Sequence, residues 1–173
     1  MYVPYIAYAG IGNDDTPESV LKQMTTLATR LETEGWVVRC DGGKGPSEVF
    51  EKMSSHELYL PWKNFNGKES QFNKVTDEAK NLTKQFHPSF ESLKDSVKVI
   101  VARHAQVILG KDLKSPVKFV VCYSSDDAES GKERSAKTGY MSIPIAIAAA
   151  QRIPIFNLKN EGALSRLEAF LEV

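Results

Sequence analysis

Two glycine-rich turns carry the residues whose types and spacing could bind an anion. Each turn follows an apolar stretch and precedes a segment that can begin a helix. Glycine lets a ligand approach the main chain closely, and the first N–H groups of a helix are unpartnered and electropositive. Such turns therefore suit a phosphate group, with a plain strand-to-helix connection as the alternative. The predicted ligand contacts are Gly10, Gly12 and Asn13 in the first turn, and Gly42, Gly43, Lys44, Gly45 and Ser47 in the second.

Three residues outside these turns are predicted to contact the same ligand. Thr138 and Gly139 open a helix after the central strand and could form a third anion contact. Arg103, followed by His104, lies late on an amphipathic helix, where a basic pair also suits the helix dipole without any ligand.

Within the second turn, Lys44 could pair with a phosphate as a point charge, or it could be a solvated loop lysine.

The remaining reactive residue types indicate no metal site and no cofactor. Cys40 and Cys122 fall inside apolar strand patterns, which favours reduced core residues over a disulfide or a metal role. His56 and His87 have no Cys or Asp at triad or metal-ligand spacing. Asp15 occupies the third glycine position of the Gly-x-Gly-x-x-Gly fingerprint, so the pattern of an NAD-type site is incomplete.

The two turns need parallel strands that end side by side, and the chain alternates strands with helices. Apolar runs predict strands over residues 5–9, 36–40, 56–62, 117–123 and 153–158. Helical apolar spacing predicts helices over residues 17–34, 46–53, 75–86, 89–109, 139–151 and 161–173. Thr16 is the predicted N-cap of the first helix, and Pro144 predicts a start or a bend in the fifth. The alternation predicts an α/β fold with a doubly wound, mainly parallel sheet of about five or more strands and helices on both faces.

Composition places the chain among ordinary globular domains. The 173 residues make one domain, 1–173, with 42% apolar and 25% charged residues. Acidic and basic side chains balance at 22 each, so no global field attracts nucleic acid or an acidic membrane surface. No signal peptide and no apolar run of membrane-spanning length is present. A cytoplasmic protein is expected, with a nucleic acid an unlikely partner and no membrane partner.

An ordered set of short motifs resembles the SLOG superfamily, and above all its small stand-alone members related to the DprA/Smf domain, which are often found in bacteriophages. The motifs lie at residues 9–13, 39–51, 58–62, 87–88, 102–104, 106–110 and 153–158. The resemblance implies a Rossmann-like domain that binds a nucleotide or a nucleotide-derived phosphorylated ligand through its glycine turns. It also implies a host cytoplasmic location if the chain is phage-encoded. Relatives often pair through helices, so a homo-oligomer is expected, with the helix at 89–109 as the candidate face.

The sequence departs from the family pattern at two turns. In the common pattern the second glycine turn is one residue longer and ends in an Ala-Asp pair, whereas Pro46 and Ser47 stand here and Glu48 is the nearest carboxylate. The family's later turn commonly reads Gly-Gly-Thr, and in its hydrolases a glutamate follows. Residues 136–144 hold one glycine and no such glutamate. The phosphate-binding turn that the family pattern places at residues 136–144 is therefore incomplete.

Three functions remain open at this point. The first is a sensor or sequestering protein for a nucleotide-type small molecule, whose base would lie against Tyr8, Tyr59, Trp62 or Tyr140. The second, known among LOG-type relatives, is cleavage of the N-glycosidic bond of nucleoside 5′-monophosphates. That reaction needs a carboxylate near the anomeric carbon, and Glu48 and Asp41 are the catalytic candidates. Alternatively, Asp41 caps its turn and Glu48 is a solvated acid in the first turn of a helix. The third, a DprA-like single-strand DNA binder, is disfavoured by the balanced charge.

Overall fold

A five-stranded parallel sheet organises the chain, as the computed structural model of residues 5–172 shows. The strands are β1 (Ala7–Gly10), β2 (Val37–Cys40), β3 (His56–Leu58), β4 (Val120–Cys122) and β5 (Ile155–Asn157). Their order across the sheet is β3-β2-β1-β4-β5, with every neighbouring pair parallel. The predicted fold class, a Rossmann-like parallel α/β architecture, is confirmed.

Helices cover both faces of the sheet. They are α1 (Glu18–Thr33), α2 (Pro46–Phe50), α3 (Asp77–Lys84), α4 (Asp95–Leu109), α5 (Ser142–Ala150) and α6 (Ala163–Leu171). Short 3-10 turns lie at Phe65–Gly67, Phe90–Ser92 and Ala136–Met141. Alternate strand residues point to opposite faces, so Tyr8 packs in the core with α1, α2 and α6, while Ala9 packs in the core with α3, α4 and α5.

The strand order places the glycine turns next to each other. From β1 the chain first builds outward through β2 and β3, and it then returns to the other side of β1 for β4 and β5. The order in which strands are added therefore reverses between β1 and β4. At such a point open α/β sheets form a crevice beyond the carboxyl ends of their strands. The first turn follows β1 and the second follows β2, so both turns border this crevice.

Several helix boundaries differ from the prediction, and three of the differences have a local cause. The helix expected over 89–109 is divided, because Leu93 and Lys94 have extended backbone and α4 begins at Asp95. Pro17 rather than Thr16 is the N-cap of α1, since the Thr16 hydroxyl donates to the carbonyl of Asn13 instead. The fifth helix begins at Ser142, so that Pro144 lies in its first turn, where a missing N–H costs nothing.

The structure also bears on the two cysteines, on membrane-spanning helices and on the predicted pairing of α4. Cys40 and Cys122 are buried free thiols, as predicted. None of the helices within residues 5–172 is both long enough and apolar enough to cross a membrane. Residues 101–109 of α4 are buried inside the single chain, so this half of the predicted pairing face has no surface to offer a second copy. A homo-oligomer stays a prediction.

Candidate functional site

A polar cavity of about 280 Å³ lies at the carboxyl edge of the sheet. The cavity walls are formed by both glycine turns, the loop after β3, the middle of α4 and the segment before α5. Its lining consists of Gly12, Asn13, Asp14, Asp41, Gly43, Lys44, Phe65, Asn66, Ile100, Arg103, Tyr140 and Met141. This is the crevice that the strand order predicts.

Asp41, which directly follows β2, is an ionised carboxylate that the protein holds in place. It is 3% exposed. Its Oδ1 accepts from the Gly43 amide at 3.0 Å, and its Oδ2 accepts from His104 Nε2 at 2.8 Å. Burial alone would raise the pKa of Asp41, but the His104 hydrogen bond and the charge of Arg103 outweigh burial and hold the pKa well below its usual range.

His104 is a neutral partner of Asp41. Burial, reinforced by the charge of Arg103, lowers the pKa of the His104 ring despite the adjacent carboxylate. Because Asp41 is ionised and can only accept, the ring is assigned the tautomer with its proton on Nε2. His104 thus holds the Asp41 carboxylate in place, but His104 itself does not line the cavity.

Arg103 is a buried cation with unused hydrogen-bond donors. Its side chain is held from three sides: Nε donates to the Asp41 carbonyl at 2.7 Å, Nη1 donates to the Ile100 carbonyl, and the guanidinium lies 5.2 Å from the ring centre of Phe65. Within residues 5–172 its Nη2 donates to no group, and no carboxylate forms a salt bridge with it. Burial lowers the pKa of Arg103, but a guanidinium remains charged at neutral pH. The cavity wall therefore carries a fixed positive charge whose hydrogen-bonding capacity is not filled.

The second glycine turn does not offer the free amides that the sequence suggested. The amides of Gly42, Gly43 and Gly45 donate to Ser47 Oγ at 2.9 Å, Asp41 Oδ1 at 3.0 Å and Glu48 Oε1 at 2.8 Å. These polar side chains lie within a few residues of the glycines and already accept hydrogen bonds from their N–H groups, which are therefore not available to a ligand. Among residues 42–45, only the Lys44 amide has no partner in the described part of the chain.

The carbonyls of the same turn are also occupied. Arg103 Nε, Asn66 Nδ2 and Lys68 Nζ donate to the carbonyls of Asp41, Gly42 and Gly43. Lys68 in addition forms a salt bridge of 2.6 Å with Glu51 on α2. The loop after β3 therefore clamps the turn from outside, and the turn is a rigid wall of the cavity.

The first turn is more open. The amides of Gly12 and Asp14 donate to no residue in the described part of the chain. A Cβ at Gly12 would lie 2.5 Å from Pro46 Cγ, so glycine is required there for the two turns to approach each other. A Cβ at Gly10 would lie 2.5 Å from the Phe50 ring, which identifies Gly10 as a packing residue under α2.

The third predicted contact is coupled to the first turn. The Asn13 side chain donates through Nδ2 to the Thr138 carbonyl at 2.9 Å. Thr138 itself is fully buried, and its hydroxyl donates to Asp126. Gly139 has φ +59°, which favours glycine, and a Cβ there would lie 3.3 Å from Asn13 Oδ1. This turn positions Tyr140 at the cavity rim.

The structure brings about half of the predicted residues together. Gly12, Asn13, Asp41, Gly43, Lys44 and Arg103 line the cavity. Outside its lining are Gly10, Gly42, Gly45, Ser47, Glu48, Thr138 and Gly139. Glu48 is engaged with the Gly45 amide, away from the lining, because it lies in the first turn of α2.

The aromatic residues are sorted by burial. Tyr8 and Tyr59 are buried, at 1% and 3% exposure. Tyr8 stacks on Phe119 and Tyr59 on Phe72, so the prediction that they meet a base was wrong. Tyr140 lines the cavity and is 54% exposed. Sequence reasoning missed Phe65, which follows Asn64 in a left-handed turn. The Asn64 to Gly67 turn signal was the available clue.

Within residues 5–172, no group of three or more His, Cys, Asp or Glu side chains could hold a metal ion. The cavity instead presents two basic side chains, Arg103 and Lys44, two carboxylates, Asp14 and Asp41, and main-chain donors. This set defines the chain as a Rossmann-like α/β domain with a polar cavity at the point where the strand order reverses.

The comparisons with known proteins bear on this class. No family model and no curated protein sequence matches the chain. The solved structure of DNA processing protein A from Helicobacter pylori, described in connection with its single-stranded DNA binding mode, is similar with a TM-score of 0.52 and 16% identity. The match covers 88% of this chain and 64% of that one. This chain therefore spans about 64% of the length of that protein, and the likeness shows a common fold.

The comparison supports the DprA-like fold and corrects one expectation. The inference that a nucleic acid is an unlikely partner was wrong, because DNA processing protein A binds single-stranded DNA on this fold. Net charge is a property of the whole surface, whereas a strand of DNA meets only one groove of it. The finer expectation of a small phage-type SLOG protein stays a prediction.

Proposed function

We propose that this protein binds a nucleotide-type ligand, with the phosphate of the ligand held in the carboxyl-edge cavity. The observation that carries the proposal is Arg103, which is 5% exposed, lines the cavity and leaves Nη2 without a partner among residues 5–172. A buried charge is costly unless it is paired, so an anion that enters the cavity would supply the missing partner.

Other donors converge on the same space. Lys44 adds a second positive charge, and the amides of Gly12 and Asp14, which donate to no described residue, border the cavity from the first turn. The volume of about 280 Å³ lies near the lower end of ligand sites in proteins. A phosphate with its sugar suits such a volume.

The test is titration calorimetry with a panel of nucleoside 5′-monophosphates, on the wild type and on Arg103→Met. We expect the wild type to bind and the variant to lose about 100-fold in affinity, because charge-assisted hydrogen bonds are lost. Arg166→Met is the matched control, since Arg166 is an exposed arginine that pairs with Glu129 on another part of the surface. Wild-type affinity in Arg103→Met, with the fold intact by circular dichroism, would contradict the proposal.

Single-stranded DNA is the second candidate ligand, and the fold shared with DNA processing protein A favours it. Nucleotide units of a strand carry the same phosphate chemistry as free nucleotides. Fluorescence anisotropy with a labelled oligothymidine separates the two cases. A DNA binder gives an affinity that falls steeply with salt, whereas a mononucleotide site leaves the oligomer unbound.

N-glycosidic hydrolysis is a third candidate, favoured by one observation at Asp41. This carboxylate is ionised and lines the cavity, where it could stabilise positive charge at an anomeric carbon. Glu48 is the weaker catalytic candidate because it is bound to the Gly45 amide. Chromatography of nucleoside monophosphates after incubation tests this function. Free base that appears with the wild type and not with Asp41→Asn would support hydrolysis, and unchanged nucleotide would leave binding alone.

A further inference from the structure

A second cavity, of about 380 Å³, lies beside the first and shares Tyr140 with it. Its lining consists of His87, Val97, Val101, Ser135, Ala136, Gly139, Tyr140, Ser142 and Ile143. We infer that this second cavity receives the nucleobase of the ligand whose phosphate occupies the first. The inference rests on the proposed function and extends it to the other end of the ligand.

Helix α4 aligns the two cavities. Ile100 and Arg103 line the first cavity, and Val97 and Val101 line the second. Val97 and Ile100 are three residues apart, and so are Ile100 and Arg103, so the lining residues occupy adjoining strips on one face of α4 and the two cavities lie side by side there. A ligand that lies along this face passes from one cavity into the other beneath Tyr140.

The chemistry of the lining differs between the cavities. Lys44, Arg103, Asp14 and Asp41 place charges in the first. Among the described residues that line the second there is no Lys, Arg, Asp or Glu, and Val97, Val101, Ala136 and Ile143 supply apolar side chains. It therefore suits an uncharged, flat group that is apolar on its faces, and a nucleobase is the part of a nucleotide with that character.

Tyr140 is already positioned for stacking. Its ring is 54% exposed, although large aromatic side chains are generally buried. The preceding Gly139, with φ +59° and ψ −138°, turns the chain at this point, and the bond from Asn13 to the Thr138 carbonyl anchors the turn. The aromatic side chain thus stands between the two cavities without the cost of ordering a loop on binding.

His87 offers a polar group at the edge of a bound base. Ser135 and Ser142 already hydrogen-bond to Asp126 and Arg134. His87 Nε2 makes no hydrogen bond within residues 5–172 and, unlike His87 Nδ1, is not a fully buried atom. His87 can therefore meet a donor or an acceptor on the base edge, according to its tautomer.

The experiment compares ligands with and without a base. Calorimetry is run with ribose 5-phosphate and with the four ribonucleoside 5′-monophosphates, on the wild type, Val97→Phe and Val99→Phe. Val97 lines the second cavity, whereas Val99 lies on the same helix and lines neither. We expect Val97→Phe to lower nucleotide affinity roughly tenfold, as expected for the loss of one stacked base, with ribose 5-phosphate binding unchanged. Val99→Phe should bind both ligands as the wild type does.

A second pair of variants keeps the test decisive if Val97→Phe fails to fold. Tyr140→Ala should lose about tenfold in nucleotide affinity, and Tyr140→Phe should retain it, because the stacking ring is kept. Equal wild-type affinities for ribose 5-phosphate and the nucleotides, unchanged by Tyr140→Ala, would overturn the inference and leave the phosphate site standing. Absence of binding by every phosphorylated ligand would instead overturn the proposed function itself.

Discussion

Two buried arginines on the same side of the sheet differ in how many of their hydrogen-bond donors have partners. Arg39 and Asp41 are two residues apart, so their side chains point to one face, and Arg103 reaches that face from α4. Arg39 contacts the segments that enter the strands and therefore lies at the amino edge, whereas Arg103 lies at the carboxyl edge. Each lines a cavity, of about 310 Å³ and 280 Å³ respectively.

The difference is in what remains unpaired. Arg39 donates from all three nitrogens, to Glu57, to the Tyr5 hydroxyl and to the Ser115 carbonyl. Arg103 meets carbonyls only and keeps Nη2 free among the described residues. A buried charge beside a cavity is thus insufficient to mark a ligand site, and the unfilled donor is the informative feature.

The sharpest test of this contrast is to remove each guanidinium in turn. Arg39→Met should lower the free energy of unfolding by about 3 kcal/mol, because Glu57 and two other acceptors lose their partner. Arg103→Met should cost less, about 2 kcal/mol, because it loses two carbonyl acceptors and the favourable charge interaction with Asp41 but breaks no salt bridge within residues 5–172. Urea unfolding of both variants measures the two values. Equal losses would mean that Arg103 is as much a structural residue as Arg39.

Glycine-to-alanine changes test whether each edge can be disturbed separately. Gly110 has φ +86°, and a Cβ there would lie 2.9 Å from Ser115 Cβ, beside Arg39. Gly139 has φ +59° and contacts Asn13 at the other edge. Each alanine should cost about 2 kcal/mol from backbone strain, and only Gly139→Ala should also weaken nucleotide binding. Thermal melts combined with calorimetry provide both readouts, and a binding defect in Gly110→Ala would break the separation.

The two edges should also respond to opposite ends of the pH scale. The pKa of His104 is lowered, so its contribution to stability is complete above about 6.5, the ordinary histidine value, and is lost as pH falls through the lower folded pKa. The slope is at most about 1.4 kcal/mol per pH unit. His104→Gln, which keeps the donor to Asp41, should flatten the melting temperature between pH 7 and 5. An unchanged pH profile would remove His104 from this role.

At the amino edge the titrating group is Tyr5. Burial, followed by the hydrogen bond with Glu57, raises the pKa of Tyr5 to about 12. Its contribution to stability is complete below about 10, the ordinary tyrosine value, and is lost as pH rises through the folded pKa. Absorbance titration of phenolate should show one high-pH tyrosine fewer in Tyr5→Phe, with nucleotide binding at neutral pH unaffected.

The smallest effect is expected at Lys44. This exposed loop lysine acts as a flexible point charge, so Lys44→Ala should weaken nucleotide binding only about threefold at low salt and less at high salt. Lys52→Ala, in an exposed position after α2, is the matched control. A loss as large as that of Arg103→Met would shift the centre of the site from the buried arginine to the glycine turn.

Local signals in the sequence explain what could be predicted of the fold. The apolar strand runs and the helical spacing over residues 17–34 each depend on residues a few positions apart, and both appear in the structure. The division of the 89–109 helix was missed because residues 93 and 94 read as helical by spacing, although their backbone is extended.

The site was less accessible to the same reasoning. Glycine turns imply free amides only if no side chain reaches them, and Ser47, Asp41 and Glu48 do reach those of the second turn. The cavity wall from the loop after β3 depends on Asn66 and Lys68, whose targets lie 24 and 25 residues earlier in the chain. Spacing along the sequence gives no access to such pairings.

By itself the amino-acid sequence determined that strands and helices alternate, that the sheet is parallel and that two glycine turns border one edge, because periodicity and turn chemistry act over a few residues. Only the tertiary structure decided which polar groups are left over. Asp41 meets Arg103 and His104 across 62 and 63 positions of chain, and the packing of α4 against β2 sets that encounter. The unfilled hydrogen bonds of a folded protein depend on such long-range neighbours, and here they remain at Arg103.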